Sequence, residues 1–188
     1  MGVFVRQNLK TGQALYTNED AIEKSIKYNT RTGGSKKGMD DLIAYGGVGV
    51  TNNDPEQMVE DMLDVQVVYG QQKGRRMHHY TYTVNREEYG RLGCCDDAVE
   101  LIAKEMAKEA FFDQGFQVEY AIHANEGEKE GYRHIHFVVN STSYVTGHKY
   151  HESYGEYDYK KNLIGKIQDG VAAMCPIRFR DVDKMRLE

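Results

Sequence analysis

The sequence predicts an α+β fold, a central antiparallel sheet flanked by helices, built as a single domain over residues 1–188. Three observations carry that prediction. Apolar residues recur at helical spacing in some segments and alternate strictly in others, giving the order helix, helix, strand, helix, strand pair, helix. Two alternating runs, Phe116 to His123 and Arg133 to Asn140, are separated by a short glycine-bearing stretch, as an antiparallel pair requires. At 188 residues the chain can bury one core, and no internal repeat, linker or low-complexity tract divides it.

Taken in order, strands are expected near Val3 and over Gly46 to Val50. Asn18-Glu19-Asp20 starts a helix whose stripe includes Ile22 and Ile26 and which ends near Tyr28. The following stretch, Asn29 to Gly38, is polar and glycine-rich and reads as a loop. Asp54-Pro55 pairs a cap with a first-turn proline and opens a second helix, with Met58, Val59, Met62 and Leu63 turned inward. Met77 to Val84 (MHHYTYTV) is rich in aromatic and β-branched residues and reads as a strand. Asp96-Asp97 is expected to cap the clearest helix, in which Val99, Ile102, Ala103, Met106, Ala107, Ala110 and Phe111 repeat until Gly115. The strand pair follows, then a last helix from about Tyr157 to Ala173, closed by Pro176. The polar ending DVDKMRLE reads as a domain edge, and the chain as the N-terminal part of a longer protein is one expectation.

Hydrophobic content of 40% with 28% charged residues is ordinary for a globular protein, and no apolar run is long enough to insert in a membrane. No signal peptide opens the chain, and three cysteines do not make a disulfide framework, so the expected setting is cytoplasmic and reduced. A net charge of −5 runs against nucleic-acid binding, which favours basic proteins. The basic residues are grouped, however: Arg31, Lys36 and Lys37; Lys73, Arg75 and Arg76; Lys160, Lys161 and Lys166. Each group alone is a solvated surface, and only their convergence makes a track for phosphates.

The chemistry lies in AIHANEGEKEGYRHIHFVVN. His123 is followed by ten residues and then His134-Ile135-His136. Alternation along the strand points His134 and His136 the same way, about 7 Å apart. Gln117, Glu119, Ala121 and His123 form one face of the upstream run, so antiparallel pairing brings His123 to the other two histidines. Three imidazoles on one face describe an open site for one divalent metal ion. Neutral imidazole suits Mn, Zn, Ni and Co, whereas Mg prefers oxygen ligands. Glu126, three residues after His123, is either a fourth ligand or solvated loop charge beside Glu128 and Glu130. With 14 tyrosines, composition alone does not identify a nucleophile.

The stretch HIHFVVNSTSYVTGHKYH resembles the third motif of DNA relaxases, the mobilisation endonucleases of the HUH superfamily: two histidines flank an apolar residue, an apolar strand ends in Asn-Ser, and a Thr-Gly-x-Lys turn with a further histidine follows. The match is specific around residues 123–151, and the stretch from about Asp54 to Gly170 is similar to the relaxase domain of mobilisable plasmids and integrative elements of Gram-positive-type bacteria. The resemblance implies a ferredoxin-like palm sheet with His123, His134 and His136 as metal ligands. It implies metal-dependent nicking of one strand at a transfer origin, through a tyrosyl–DNA intermediate that allows rejoining or strand transfer. Ile26-Lys27-Tyr28 resembles the family's N-terminal apolar-x-Tyr motif and makes Tyr28 the expected nucleophile, with Tyr45 and Tyr16 as alternatives. Expected DNA contacts are Arg31, Lys36, Lys37, Arg75, Arg76, Lys149 and Lys160, with Glu126 or His79 orienting a ligand. His78 and His79 stand where relatives carry a histidine before a Ser-Phe strand ending, but Thr81-Tyr82-Thr83 follows here. His148 and His151 fall at the turn after the motif, and Tyr150, Tyr154, Tyr157 and Tyr159 are candidates to stack on bases. Implied partners are single-stranded origin DNA and accessory mobilisation and coupling proteins. A rolling-circle replication initiator of the same superfamily and a non-catalytic metal- or DNA-binding accessory protein are the competing readings. The Thr-Gly-x-Lys tail favours the relaxase, and the full histidine trio argues against loss of activity. A cupin-like site needs an acid shortly after the pair, and Phe137 to Ser143 has none.

Overall fold

A computed structural model describes residues 2–7, 16–33, 41–124 and 131–175. Lys36, Lys37, Glu126 and Pro176 lie outside the described residues. Five strands, β1 (Val3–Arg6), β2 (Leu42–Val48), β3 (Met77–Val84), β4 (Val118–Ala124) and β5 (Arg133–Asn140), form one sheet in the order β1-β3-β5-β4-β2. Every neighbouring pair is antiparallel, so the sheet and the α+β class match the expectation. The helices are α1 (Ala21–Asn29), α2 (Pro55–Val68), α3 (Arg86–Arg91), α4 (Asp96–Ala110) and α5 (Tyr154–Met174).

Alternation sorts the strands into two faces. One carries Tyr80, Tyr82, Val84, Val118, Tyr120, Ile122, Ile135, Phe137 and Val139 against the apolar sides of α4 and α5. The other carries Met77 and Val138 beneath Ile22 and Ile26 of α1 and Met58, Val59 and Met62 of α2. Ile22, Ile26, Met58 and Met62 are completely buried, each contributing about 1.5–3 kcal/mol. These two short helices cover only part of their face. The histidines stand beside them: His123 is buried against the end of α1, and His134 and His136 are half-buried.

Local signals explain most boundaries. The Asp54 side chain accepts from the Glu56 and Gln57 amides, with Pro55 in the first turn of α2. After α4 and a single 3₁₀ turn (Phe112–Gln114), Gly115 at φ +91 redirects the chain into β4. A Cβ there would be strained and would lie 3.0 Å from Ser143 Oγ. Four expectations are corrected. Cys95, with no side-chain cap, is the residue that caps α4, and Asp96 and Asp97 sit inside its first turn, where negative charge meets the helix dipole. Helix α5 begins at Tyr154 rather than near Tyr157, because Ser153 and Glu156 form a reciprocal capping box. The same box, Asn85 with Glu88, starts the unforeseen α3. Strand β2 lies four residues earlier in its start than expected, at Leu42, with a register shift between Leu42 and Ala44.

Candidate active site on the open half of the sheet

The register of β4 and β5 sets His123 opposite His134 and Ala121 opposite His136. On the other side of β5, Thr83 faces His134 and Thr81 faces His136. All lie on one face, so small side chains surround the imidazoles and leave them room. The ring centroids of His123 and His136 are 4.8 Å apart. At the β1 edge the same face continues to Val3 and Val5, both exposed and paired with Thr83 and Thr81.

Each ring has a fixed partner. His134 Nδ1 lies 2.9 Å from Thr83 Oγ1, and His136 Nδ1 lies 3.1 Å from His79 Nε2. His79 in turn meets the Tyr16 hydroxyl through Nδ1 at 3.4 Å. His123 Nε2 lies 2.7 Å from the backbone oxygen of Asn29. A carbonyl only accepts, so Nε2 carries the proton and Nδ1 turns its lone pair to the Arg31 guanidinium, 3.2 Å away. Burial lowers the basicity of His123, takes His136 down to about 2 with help from its neighbouring histidines, and takes His79 to about 4. These imidazoles are neutral at ordinary pH.

Tyr28 sits in the last turn of α1 and is exposed. Arg31, at φ +59, folds back over it: the guanidinium stands 4.9 Å from the ring centroid and donates to the Tyr28 carbonyl. The same group makes a two-pronged contact with Asp41, Nε to Oδ1 at 2.8 Å and Nη2 to Oδ2 at 2.6 Å. Burial pushes the Asp41 carboxyl up, and the Arg31 hydrogen bonds and charge outweigh it, so the group is held below the usual range. Arg31 therefore ties Tyr28, Asp41 and His123 together. Asp41 escaped the sequence reading because an aspartate pair, Asp40-Asp41, before a strand carries no pattern of its own. The alternative tyrosines differ: Tyr45 turns its hydroxyl to the Asn53 carbonyl at 3.4 Å, whereas Tyr16 reaches the histidines through His79.

The remaining basic residues do not converge here. Arg76 is buried and donates to Gln66 Oε1 and the Gln72 carbonyl. Lys160 is buried on Glu152 at 3.0 Å. Lys149 donates to the Gln71 and Arg75 carbonyls and to Ser141 Oγ. Arg76 and Lys160 are spent inside the fold, which corrects their expected place on a DNA-facing surface, whereas Lys149 is half-buried. Arg75 is half-buried and bonds His78 Nδ1 at 3.3 Å, and His78 packs on Tyr150 on the opposite face. Tyr150 is buried as well; Tyr154 and Tyr159 are exposed.

Among the described residues no three His, Cys, Asp or Glu side chains already stand around one point in ligand geometry. The trio fits a metal in donor chemistry if the Arg31 guanidinium gives way, because with Nε2 protonated His123 offers only Nδ1, which faces Arg31. Two of its imidazoles are held neutral by burial, all three share one face, and the rings are oriented from behind as ligating histidines are, His123 by a carbonyl and His136 by a histidine.

A family comparison bears on the chain as a whole. The sequence profile of the relaxase family, MobA/VirD2-like nuclease domain, matches residues 28–169, a span that opens on Tyr28 and includes all three histidines. The chain belongs to this family and is, in general terms, a DNA-nicking enzyme of mobilisation. No curated protein matches the chain at a significant level. Among the described residues no helix is long and apolar enough to cross a membrane.

Proposed function

We propose that the protein nicks one strand at a transfer origin by transesterification, with Tyr28 as nucleophile and His123, His134 and His136 holding one divalent metal ion. The observation that supports this reading is the strand register that sets the three histidines on one face, beside the end of α1 where Arg31 meets both Tyr28 and His123; a metal on His123 Nδ1 would take the place of the guanidinium there. The Tyr28 oxygen forms a bond to the scissile phosphorus as the bond to the 3′ oxygen breaks. The phenolic proton leaves to solvent, and the departing 3′ oxygen takes one up. Because the phosphodiester is exchanged rather than hydrolysed, the 5′-linked strand can be rejoined or passed to an acceptor. When bound, the metal polarises the phosphate and offsets charge developing on its oxygens. A phenol with an ordinary pKa of about 10 needs cationic surroundings at neutral pH, and Arg31 supplies a charge beside its ring.

Single-stranded DNA then lies across the open half of the sheet, with Thr81, Thr83, Val3 and Val5 beside the histidines. Lys36 and Lys37 would follow Arg31 along the phosphates; Arg76 and Lys160 take no part. Accessory mobilisation proteins and a cytoplasmic setting belong to the same proposal. The test uses labelled single-stranded oligonucleotides tiled across the DNA flanking the protein's own coding sequence, with Mn²⁺, on a denaturing gel. Wild type is expected to give a protein-linked band that Tyr28→Phe abolishes. A band that survives in Tyr28→Phe and vanishes in Tyr16→Phe or Tyr45→Phe moves the nucleophile. No band from wild type on any oligonucleotide overturns the proposal.

A further inference from the structure

One buried polar pair takes no part in the chemistry above. Glu119 of β4 lies on the histidine face, between Gly47 and Val138 in the sheet, and is completely buried. Its Oε2 accepts from Asn29 Nδ2 at 3.1 Å, and its partners include no cation. Burial alone pushes its carboxyl up, to about 8. Asn29 is equally buried, and its backbone carbonyl receives the His123 Nε2 proton. Among the described residues, Asn29 Oδ1 and Glu119 Oε1 have no side-chain partner, and the Val138 amide of the neighbouring strand is the one further group that eases the Glu119 carboxyl.

On stability alone such a pair is a poor choice. Unpaired buried oxygens are costly, and apolar residues of similar shape would pack at less expense. Its position accounts for its presence. Ile22 and Ile26 fix how α1 lies on the sheet, but apolar contacts tolerate small slides along the helix axis. The Asn29 amide, held by Glu119, fixes the terminal turn at one point. That turn carries Tyr28 on one side of Asn29 and, two residues on, Arg31.

We propose that Glu119 and Asn29 are positioning residues for the nicking reaction, a clamp that holds His123 in its Nε2–H tautomer and seats the terminal turn of α1 against the histidines. The proposal rests on the assignment of Tyr28 only for its second half. The clamp acts through a donor on residue 29 and an acceptor on residue 119, so its polarity can be reversed. Asn29→Asp removes the amide donor and, above about pH 8 where Glu119 is ionised as well, sets two carboxylates face to face. Combining it with Glu119→Gln restores one donor and one acceptor in the opposite sense.

The test takes the full chain above pH 8, reads the His123 ring nitrogens by NMR without metal, then measures single-turnover adduct formation with Mn²⁺ and DNA affinity. Wild type is expected to show a protonated Nε2 and an unprotonated Nδ1 at His123. Asn29→Asp is expected to mix the tautomers and slow the single turnover roughly 10–100-fold, the cost usual for removing an orienting partner, with DNA affinity unchanged. The double variant is expected to recover most of both. A single Asn29→Asp variant with wild-type nitrogen shifts and rate overturns the clamp. So does a double variant no better than the single one in tautomer and rate. If Asn29→Asp does not fold, Glu119→Leu decides: it removes the acceptor, so mixed tautomers and a slowed turnover are expected, and wild-type shifts and rate overturn the clamp. Nitrogen shifts that respond as described, with no adduct in wild type, would support the His123 half of the clamp and remove Tyr28 from the mechanism.

Discussion

Two asparagines on the same face of the sheet are treated in opposite ways. Asn140, at the end of β5 beneath α2, uses its full hydrogen-bonding capacity. Its Nδ2 donates to the Met62 carbonyl and Gln117 Oε1, and its Oδ1 accepts from Gln66 Nε2 and the Thr142 amide, all between 2.8 and 3.1 Å. Asn29, at the end of α1, leaves its Oδ1 without a partner and leans on a carboxyl that is itself half-satisfied. Both are completely buried. A closed polar network contributes to one rigid arrangement, whereas orphaned atoms beside neutral histidines mark a place where packing has yielded to chemistry. On the proposed reading, the polar network under α2 serves stability and the pair at the end of α1 serves the reaction.

The sharpest way to break that distinction is to damage each half and compare stability. Asn140→Ala strands buried donors and acceptors on Met62, Gln66 and Gln117, and is expected to cost about 3–5 kcal/mol in urea unfolding. His136→Ala, on the open half, is expected to cost less than half as much. Similar losses at the two positions would erase the contrast.

Metal affinity should divide the halves in the reverse sense. Calorimetry with Mn²⁺ is expected to show one site in wild type, weakened more than tenfold by His134→Ala or His136→Ala. Gln66→Leu, if folded, should leave it unchanged. Equal binding by wild type and the double histidine variant would remove the metal from the mechanism.

The pH dependence of stability sharpens the comparison, because the histidine face of the sheet holds groups shifted in both directions. His79 and His136 titrate in the folded protein at about 4 and about 2, below the ordinary histidine value. Their contribution is present above about pH 6.5 and is lost as pH falls through those values, since the unfolded chain binds the protons first. Glu119 is opposite: its folded value of about 8 lies above the ordinary carboxylate value. Its contribution is full below about pH 4.5 and is lost as pH rises through 8. Glu119→Gln should therefore flatten the decline in urea midpoint between pH 5 and 8.5 and leave the acid limb in place. A decline that persists undiminished would mean Glu119 ionises freely.

The two halves were also unequally legible in the sequence. Apolar periodicity announced α1, α2 and α4, and alternation placed β3 and the β4–β5 pair within a residue or two, because a single dominant signal set each element. The boxes that start α3 and α5 are short polar patterns and were passed over. In the open half, His123, His134 and His136 were readable because strand parity alone brings them to one face. Asp41, Asn29 and Glu119 were not. Their importance comes from where α1 ends on the sheet and from Arg31 turning back at positive φ, which no spacing encodes. The basic clusters misled for a related reason. Lysine and arginine look alike in sequence whether they face phosphates, as proposed for Lys36 and Lys37, or, as with Arg76 and Lys160, satisfy carbonyls and carboxylates inside the fold.

That difference sets the smallest expected effect. The net charge of −5 makes long-range attraction for DNA weak, so each locally neutralised phosphate should be visible as a separate step in salt dependence. Replacing Lys36 and Lys37 with glutamine is expected to lower the slope of log affinity against log salt by roughly one unit for each phosphate no longer neutralised, with folding unchanged. Arg76→Gln should behave otherwise. Its guanidinium is bonded to Gln66 and Gln72, so the change should lower stability while leaving the salt slope of the remaining folded protein as it was. An unchanged slope in the lysine variant, with a reduced one in Arg76→Gln, would mean that DNA runs over the covered half. The open face would then hold the reacting phosphate without guiding the strand to it.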